Sequence, residues 1–230
     1  MNNLTFDSSF PKFSGPDFLR FCGKFTVYTE ASVFRSYSAT TTEAVVSGSW
    51  YGGKDICHVS LRGEVNAANL FHIGSTYEIA GDVEGSNAYF MPILIWRTGD
   101  ERITRLGTQM RDRSPMRFSG VGTILSWQRF AINRFNKEDL IQVQVFHTNA
   151  LALNGGIVVR LLLGWDYCHV DRDCKAFIGS RIAYIGLFEG SDRNDGSAIV
   201  QGYKAVINFS PSWLDRNALE NGVNLSDDFN

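Results

Sequence analysis

The sequence predicts an all-β protein that contains two copies of one five-strand unit. Three observations lead to this fold class. Segments between turn residues are short and alternate apolar with polar side chains, the 230-residue chain contains 22 glycines, and a glycine-rich phrase near residue 73 returns near residue 178. Alternation with a period of two is typical of half-buried strands, and long helical periodicity is almost absent.

Each copy divides into five strands with a helix-like connector after the third. In the first copy the strands are expected at 21–29, 42–50, 56–62, 76–83 and 88–96, with a short helix at 66–71. In the second copy they are expected at 118–127, 140–148, 156–164, 181–188 and 198–207, with an irregular or helical piece at 166–177. The clearest strand has Ile141, Val143 and Val145 on one face, and Gln142, Gln144 and Phe146 on the other.

Two internal echoes support the division into copies. The phrase IGSTYEIAGDVEGS, which begins at Ile73, matches IGSRIAYIGLFEGS, which begins at Ile178, at the first three residues, the middle glycine and the closing Glu-Gly-Ser. Upstream, the phrase RFCG at Arg20 matches RFSG at Arg117. Echoes that recur in the same order indicate a duplicated unit of about 80–100 residues. The alternative is that short turn phrases recur by chance in β proteins.

The order of three strands, a connector and two strands is that of an OB barrel, a partly open five-stranded Greek key. The phrase that begins at Ile73 resembles the fourth strand of OB-fold single-strand binders such as replication protein A. The segments 118–124 and 145–149 are similar to OB-type proteins of mushroom-forming fungi. The resemblance implies two tandem five-stranded OB-like Greek-key barrels with short connecting helices. We expect an extension at 1–19, barrel 1 at 20–97, an Arg-rich linker at 98–116, barrel 2 at 117–209 and an acidic tail at 210–230.

Charge points to a local anionic ligand rather than to general coating of nucleic acid. The formal net charge is −2, yet residues 97–137 hold nine basic and three acidic side chains. A basic segment within a slightly acidic chain indicates a local site. The linker contributes a patch of six arginines. They are Arg97, Arg102, Arg105, Arg111, Arg113 and Arg117.

The predicted binding site lies mainly on barrel 2. OB proteins bind single strands with the outer faces of strands two and three and with adjoining loops, through aromatic stacking and Arg or Lys contacts to phosphate. The residues of barrel 2 that match these roles are Trp127, Arg129, Phe130, Arg134, Phe135, Lys137, Gln144, Phe146 and Arg160. We therefore expect non-enzymatic single-stranded nucleic-acid binding. The first loop of barrel 1 holds Phe34, Arg35 and Tyr37 but few other cations, so we expect barrel 1 to be the weaker binder, a scaffold or a protein-binding module.

Structural explanations for the same residues stay open. Trp127, Phe130 and Phe135 could pack beneath the loop as a small satellite core. The linker arginines could be solvated or pair with a neighbouring domain. The acidic loop at 189–196 would repel phosphate.

Other kinds of site are weakly indicated. The cysteines lack the usual spacing of zinc ligands, and His72 and His147 are expected to be satisfied surface or edge residues. We find no phosphate loop or hydrolase motif, so we predict no enzyme activity, no metal and no cofactor. No apolar run approaches the roughly 20 residues of a membrane-spanning helix. We expect an intracellular protein, nuclear or cytoplasmic.

The competing function is structural. A viral coat protein with a β-sandwich, which would place the chain in a virion, or a protein-docking β module would suit the polar strands and the high aromatic content. The partner would then be a protein or further copies of the chain. The segment 1–15 has one lysine and no basic arm, which disfavours a coat that packages nucleic acid.

Overall fold

The computed structural model describes residues 16–47, 56–65, 71–86, 91–96, 104–107, 114–130, 140–148, 155–164 and 178–208. Within these ranges the chain is built of strands and turns and has no α-helix, and no helix is long and apolar enough to cross a membrane. The strands of the first half are β1 (Phe18–Val27), β2 (Ser32–Val33), β3 (Ser38–Val45), β4 (Ile56–Gly63), β5 (Thr76–Ser86), β6 (Pro92–Ile95) and β7 (Thr104–Gly107). Those of the second half are β8 (Arg117–Phe130), β9 (Leu140–Thr148), β10 (Gly156–Gly164), β11 (Arg181–Ser191) and β12 (Ala198–Asn208).

Strand pairing produces a closed five-stranded barrel of the OB-like type. In the second half β8 pairs with β9, β9 with β10, β10 with β12, β12 with β11 and β11 again with β8. The β10–β12 pairing is parallel and the other four are antiparallel. The all-β prediction with an OB-like barrel is therefore confirmed.

Pairings in the first half follow the same order. Strand β1 pairs with β3, β3 with β4, β4 in parallel with β6, β6 with β5, and β5 again with β1. Two short strands lie outside this ring, because β2 pairs with β3 and β7 pairs with β5. All described strands belong to one continuous sheet. They do not form the two facing four-stranded sheets that a coat-protein sandwich requires.

The two halves meet along an antiparallel seam between β1 and β8, from Phe18 opposite Val121 to Cys22 opposite Arg117. Phe21 and Phe118 are opposite one another in this seam, and both side chains are fully buried. The buried apolar residues of both halves form one hydrophobic cluster. Burial of apolar surface is the main stabilising contribution to folding, so we expect the two rings to unfold together.

The repeated glycines occupy equivalent places in both rings. A methyl group added at Gly81 on β5 would collide with the backbone carbonyl of Ile95 on β6. A methyl group added at Gly186 on β11 would collide in the same way with the carbonyl of Gln201 on β12. Only glycine allows the neighbouring strand this close approach.

A second glycine pair allows both rings the same bulge. Gly85 has a φ of 142° and Gly190 a φ of 135°, and a register shift occurs at each. Such positive φ angles favour glycine. The echo seen in the sequence therefore has the same local geometry in both halves.

Several sequence predictions need correction. The second strand begins at Ser38 rather than at residue 42, and neither β2 nor β7, which lies within the predicted linker, was expected. The predicted helix at 66–71 lies outside the described residues except for Phe71, which is not helical, and the piece at 166–177 lies wholly outside them.

His147 is a core residue, which corrects the prediction of a surface or edge histidine. Its side chain is fully buried. Because the carbonyl of Val121 can only accept, Nδ1 donates to it at 3.0 Å, and Nε2 then accepts from the Tyr184 hydroxyl at 2.9 Å. Burial lowers the pKa of His147 to about 4, against the opposing hydrogen bond to Val121 and the charge of Asp17.

This histidine predicts acid sensitivity. The folded pKa lies below the unfolded value of about 6.5, so the unfolded chain binds the extra proton first and stability falls as pH decreases from 6.5 to 4. The loss across that window is roughly 3 kcal/mol for a shift of this size. Urea unfolding at pH 7 and pH 4.5 checks it, with His72→Gln, an exposed histidine, as the control. Equal pH dependence in wild type and His147→Gln would contradict this assignment.

Candidate functional site

The outer face of β9 and β10 is the predicted ligand surface of the second ring. Gln144 and Phe146 are partly exposed, while the intervening Val145 is fully buried, as the alternation predicts. Phe146 is paired with Val158 on β10, and Gln144 with Arg160. Phe146, Gln144 and Arg160 therefore lie on one face of adjacent strands.

Arg160 is held by the loop between β11 and β12. Its Nε donates to the Ser197 hydroxyl at 2.9 Å, its Nη2 to Asp195 at 2.6 Å, and its Nη1 lies 3.3 Å from Asp192. The side chains of Arg160 and Asp192 are only 22% and 12% exposed, so solvent screens this pair less than a surface pair.

Asp195 stays ionised over a wide pH range. Partial burial raises the pKa of its carboxyl, but hydrogen bonds from Ser197 and Arg160 outweigh that effect, and the pKa lies below its usual value. At neutral pH the loop therefore presents negative charge to Arg160.

The first ring carries an exposed group of rings and one arginine, which we call the aromatic ridge. It consists of Tyr28, Phe34, Tyr37, His58 and Arg62. Tyr28 follows β1 and is 58% exposed, and Phe34 follows β2 and is 47% exposed. His58 and Arg62 lie on β4, the third strand of the ring.

Ring contacts join the members of the aromatic ridge in two groups. Phe34 stacks on Tyr37 with centroids 4.6 Å apart and planes 20° apart, and Tyr28 lies 5.1 Å from His58. The guanidinium carbon of Arg62 lies 4.9 Å from the centre of the Tyr37 ring. A cation over an aromatic face within about 6 Å is attractive. Exposed rings held by such contacts lose little conformational freedom when a flat ligand stacks on them.

Acidic side chains adjoin the aromatic ridge. Arg62 donates to Glu84 at 2.9 Å, and His58 lies 3.5 Å from Glu43. The ridge therefore offers more stacking surface than unbalanced positive charge.

The seam adds two exposed cations. Arg117 on β8 is exposed, and Arg20 on β1 lies 3.7 Å from Asp82 with more than half of its side chain accessible. A cleft of about 330 Å³ lies between the rings and includes Cys57, Phe188 and Arg193 in its wall. Burial raises the pKa of the Cys57 thiol to about 12, partly offset by a backbone hydrogen bond, so this thiol is protonated and unreactive at neutral pH.

The structure places only part of the predicted site. Trp127 is half-buried, packs against the core and is paired with the buried Val143 on β9. Strand β8 ends with Arg129 and Phe130, and strand β7 contains Arg105; the side chains of these three residues are not described. The predicted residues outside the described ranges are Arg134, Phe135, Lys137, Arg97, Arg102, Arg111 and Arg113.

Sequence reasoning selected only part of the aromatic ridge. Phe34 and Tyr37 were noted but ranked below barrel 2, and Tyr28, His58 and Arg62 were not selected. The spacing of Phe34 and Tyr37 in a loop was the available signal. Among the described residues no group of His, Cys, Asp or Glu could hold a metal ion.

Comparison with solved structures finds similar folds. The wild-type single-stranded DNA binding protein from Thermus aquaticus matches with a TM-score of 0.51 and 10% identity, over 84% of this chain and 93% of that chain. A deletion mutant of that protein matches with a TM-score of 0.50 and 11% identity, over 84% of this chain and 95% of the other. No family model and no curated protein sequence matches the chain. The similarity at this level of identity concerns the fold.

Proposed function

We propose that the protein binds single-stranded nucleic acid non-covalently and without catalysis. The observation that carries this proposal is the aromatic ridge, because its exposed rings lie beside an arginine on the strands and loop that OB barrels use for ligands. Stacking of bases on such rings tolerates any sequence, since every base has a flat π-face.

Our proposal includes two tandem OB-like barrels, at 20–97 and 117–209, joined by the linker 98–116 and flanked by 1–19 and 210–230. Three observations support it. The two rings have the same strand order, their equivalent glycines have the same surroundings, and the echoed Phe21 and Phe118 face each other across the seam. A duplicated unit that pairs with its copy produces such self-facing residues.

Barrel 2 is proposed to make the larger share of the phosphate contacts. The end of β8 supplies Arg129, the segment after it supplies Arg134 and Lys137, and Arg117 and the other linker arginines add to the positive charge of residues 97–137. Phe146 would stack on a base, together with Phe130 at the end of β8 and Phe135 in the segment that follows it. Gln144 would donate hydrogen bonds. Arg160 would contact a phosphate once the loop between β11 and β12 releases its side chain.

A charge reversal tests the phosphate role. Arg129→Glu with Arg134→Glu should lower the affinity for fluorescein-labelled oligothymidine and flatten its salt dependence, because each phosphate contact contributes about 0.7 to the slope of log K against log salt. Anisotropy titrations at two salt concentrations measure both effects. Glu78→Lys on β5, a strand of the other ring, serves as a control for altered charge. An unchanged salt slope in the double variant would count against the assignment.

A further inference from the structure

The loop that joins β11 and β12 presents two carboxylates to the ligand face of barrel 2. Asp192 and Asp195, which we call the acidic clamp, hold two different nitrogens of the Arg160 guanidinium, and Ser197 accepts from the third. All three nitrogens of this side chain therefore have a protein partner. In an OB barrel this loop is one of the two that border the ligand groove.

The clamp is shaped by its own loop rather than by Arg160. The amide of Asn194 donates to Asp192 Oδ1 at 2.7 Å, and the amide and hydroxyl of Ser197 donate to Asp195 Oδ1 at 2.9 and 2.6 Å. Backbone hydrogen bonds from Asp192 to Ser197 and from Gly196 to Asp192 close the turn. Both carboxylates are thus held in place before a ligand arrives.

We infer that the acidic clamp is an autoinhibitory contact, in which two aspartates occupy the position of a nucleic-acid phosphate on Arg160. The inference rests on the proposed function. Carboxylate and phosphate use the same kind of charge-assisted hydrogen bond to arginine, so the two compete for one guanidinium. A bound strand must displace the clamp before it can contact Arg160, so binding to this face of barrel 2 is restrained.

Two isosteric substitutions remove the charge and keep the turn. Asp192→Asn with Asp195→Asn retains an oxygen that can accept from Asn194 and Ser197, because an amide carbonyl accepts as a carboxylate does. The double variant should bind oligothymidine of about 30 nucleotides at least about threefold more tightly than wild type, a length sufficient for two OB folds. Its salt slope should steepen by about 0.7, the value for one added phosphate contact on a single strand.

Two further variants separate the clamp from general charge. Glu78→Gln removes a carboxylate charge from β5, away from Arg160, and should change affinity less. Adding Arg160→Ala to the clamp variant should abolish its gain. Circular dichroism and thermal unfolding establish that each variant is folded.

The outcomes distinguish the clamp from the proposed function. A gain that requires Arg160 supports both. If wild type binds and the clamp variant gains no more than the β5 control, or keeps its gain without Arg160, the clamp inference is wrong and the proposed function stands. If neither wild type nor any folded variant binds oligothymidine, both are wrong.

Discussion

Replacing Tyr28 and Phe34 by alanine is expected to weaken binding of oligothymidine by at least about tenfold. Base–aromatic stacking contributes about 1–3 kcal/mol per base, and 1.4 kcal/mol corresponds to a tenfold change in affinity. Both rings are about half exposed, so their removal opens no cavity in the core and should alter stability little. Anisotropy titration of the double variant measures the loss.

A matched control exists on another strand. Tyr203 on β12 is 42% exposed. It lies outside the aromatic ridge and is not on β9 or β10, the strands of the proposed ligand face of barrel 2. Tyr203→Ala should therefore leave affinity within about twofold of wild type, since a surface ring without ligand contact contributes no stacking. Equal losses in both variants, or no loss from the aromatic ridge, would remove the ridge from the binding surface.

Substituting alanine for Gly186 or Gly81 should produce large losses of stability, about 3 kcal/mol each. In both cases the new methyl group meets a backbone carbonyl on the fifth strand of its ring, and a carbonyl in a sheet cannot move aside as a flexible side chain can. Overpacking of this kind typically costs about 1–3 kcal/mol, and a backbone obstacle places these positions at the upper end. Chemical denaturation monitored by tryptophan fluorescence gives the free energies of unfolding.

Gly74→Ala provides the comparison. Its φ is 75°, but nothing lies within 4 Å of the added methyl group, so the expected cost is the backbone strain alone, about 1–2 kcal/mol. Similar losses at Gly81 and Gly186 would agree with their equivalent places. A loss at only one of them would contradict the equivalence of the two rings.

Much of the strand order could be predicted because burial alternates along the chain. Strand β9 has the predicted bounds, and its inward Ile141, Val143 and Val145 are the buried ones. The start of β3 was missed because its inward side chains are hydroxyls. Ser38 and Thr40 are buried and donate to the carbonyls of Glu64 and Thr29, and a search for apolar periodicity does not detect such residues.

The site was harder to predict, because its contacts join segments that are distant in sequence. The sequence indicated an outward Arg160 and an acidic loop, but only the fold brings Asp192 and Asp195 onto that side chain. The exposure of Tyr28 depends on how its loop packs. His147 was predicted to be an edge residue because its hydrogen-bond partners cannot be recognised from the local sequence. These partners, Val121 on β8 and Tyr184 on β11, are 26 and 37 residues away along the chain.

The central claim is that this fold binds a single strand by stacking and by phosphate contacts. The most direct measurement is an anisotropy titration of wild type with single-stranded oligothymidine and with a duplex of equal length, at about 50 and 200 mM salt. We expect tighter binding of the single strand, because paired bases cannot stack on protein rings, and weaker binding at the higher salt. Equal affinity for both forms, or no binding of the single strand at the lower salt, would contradict the claim.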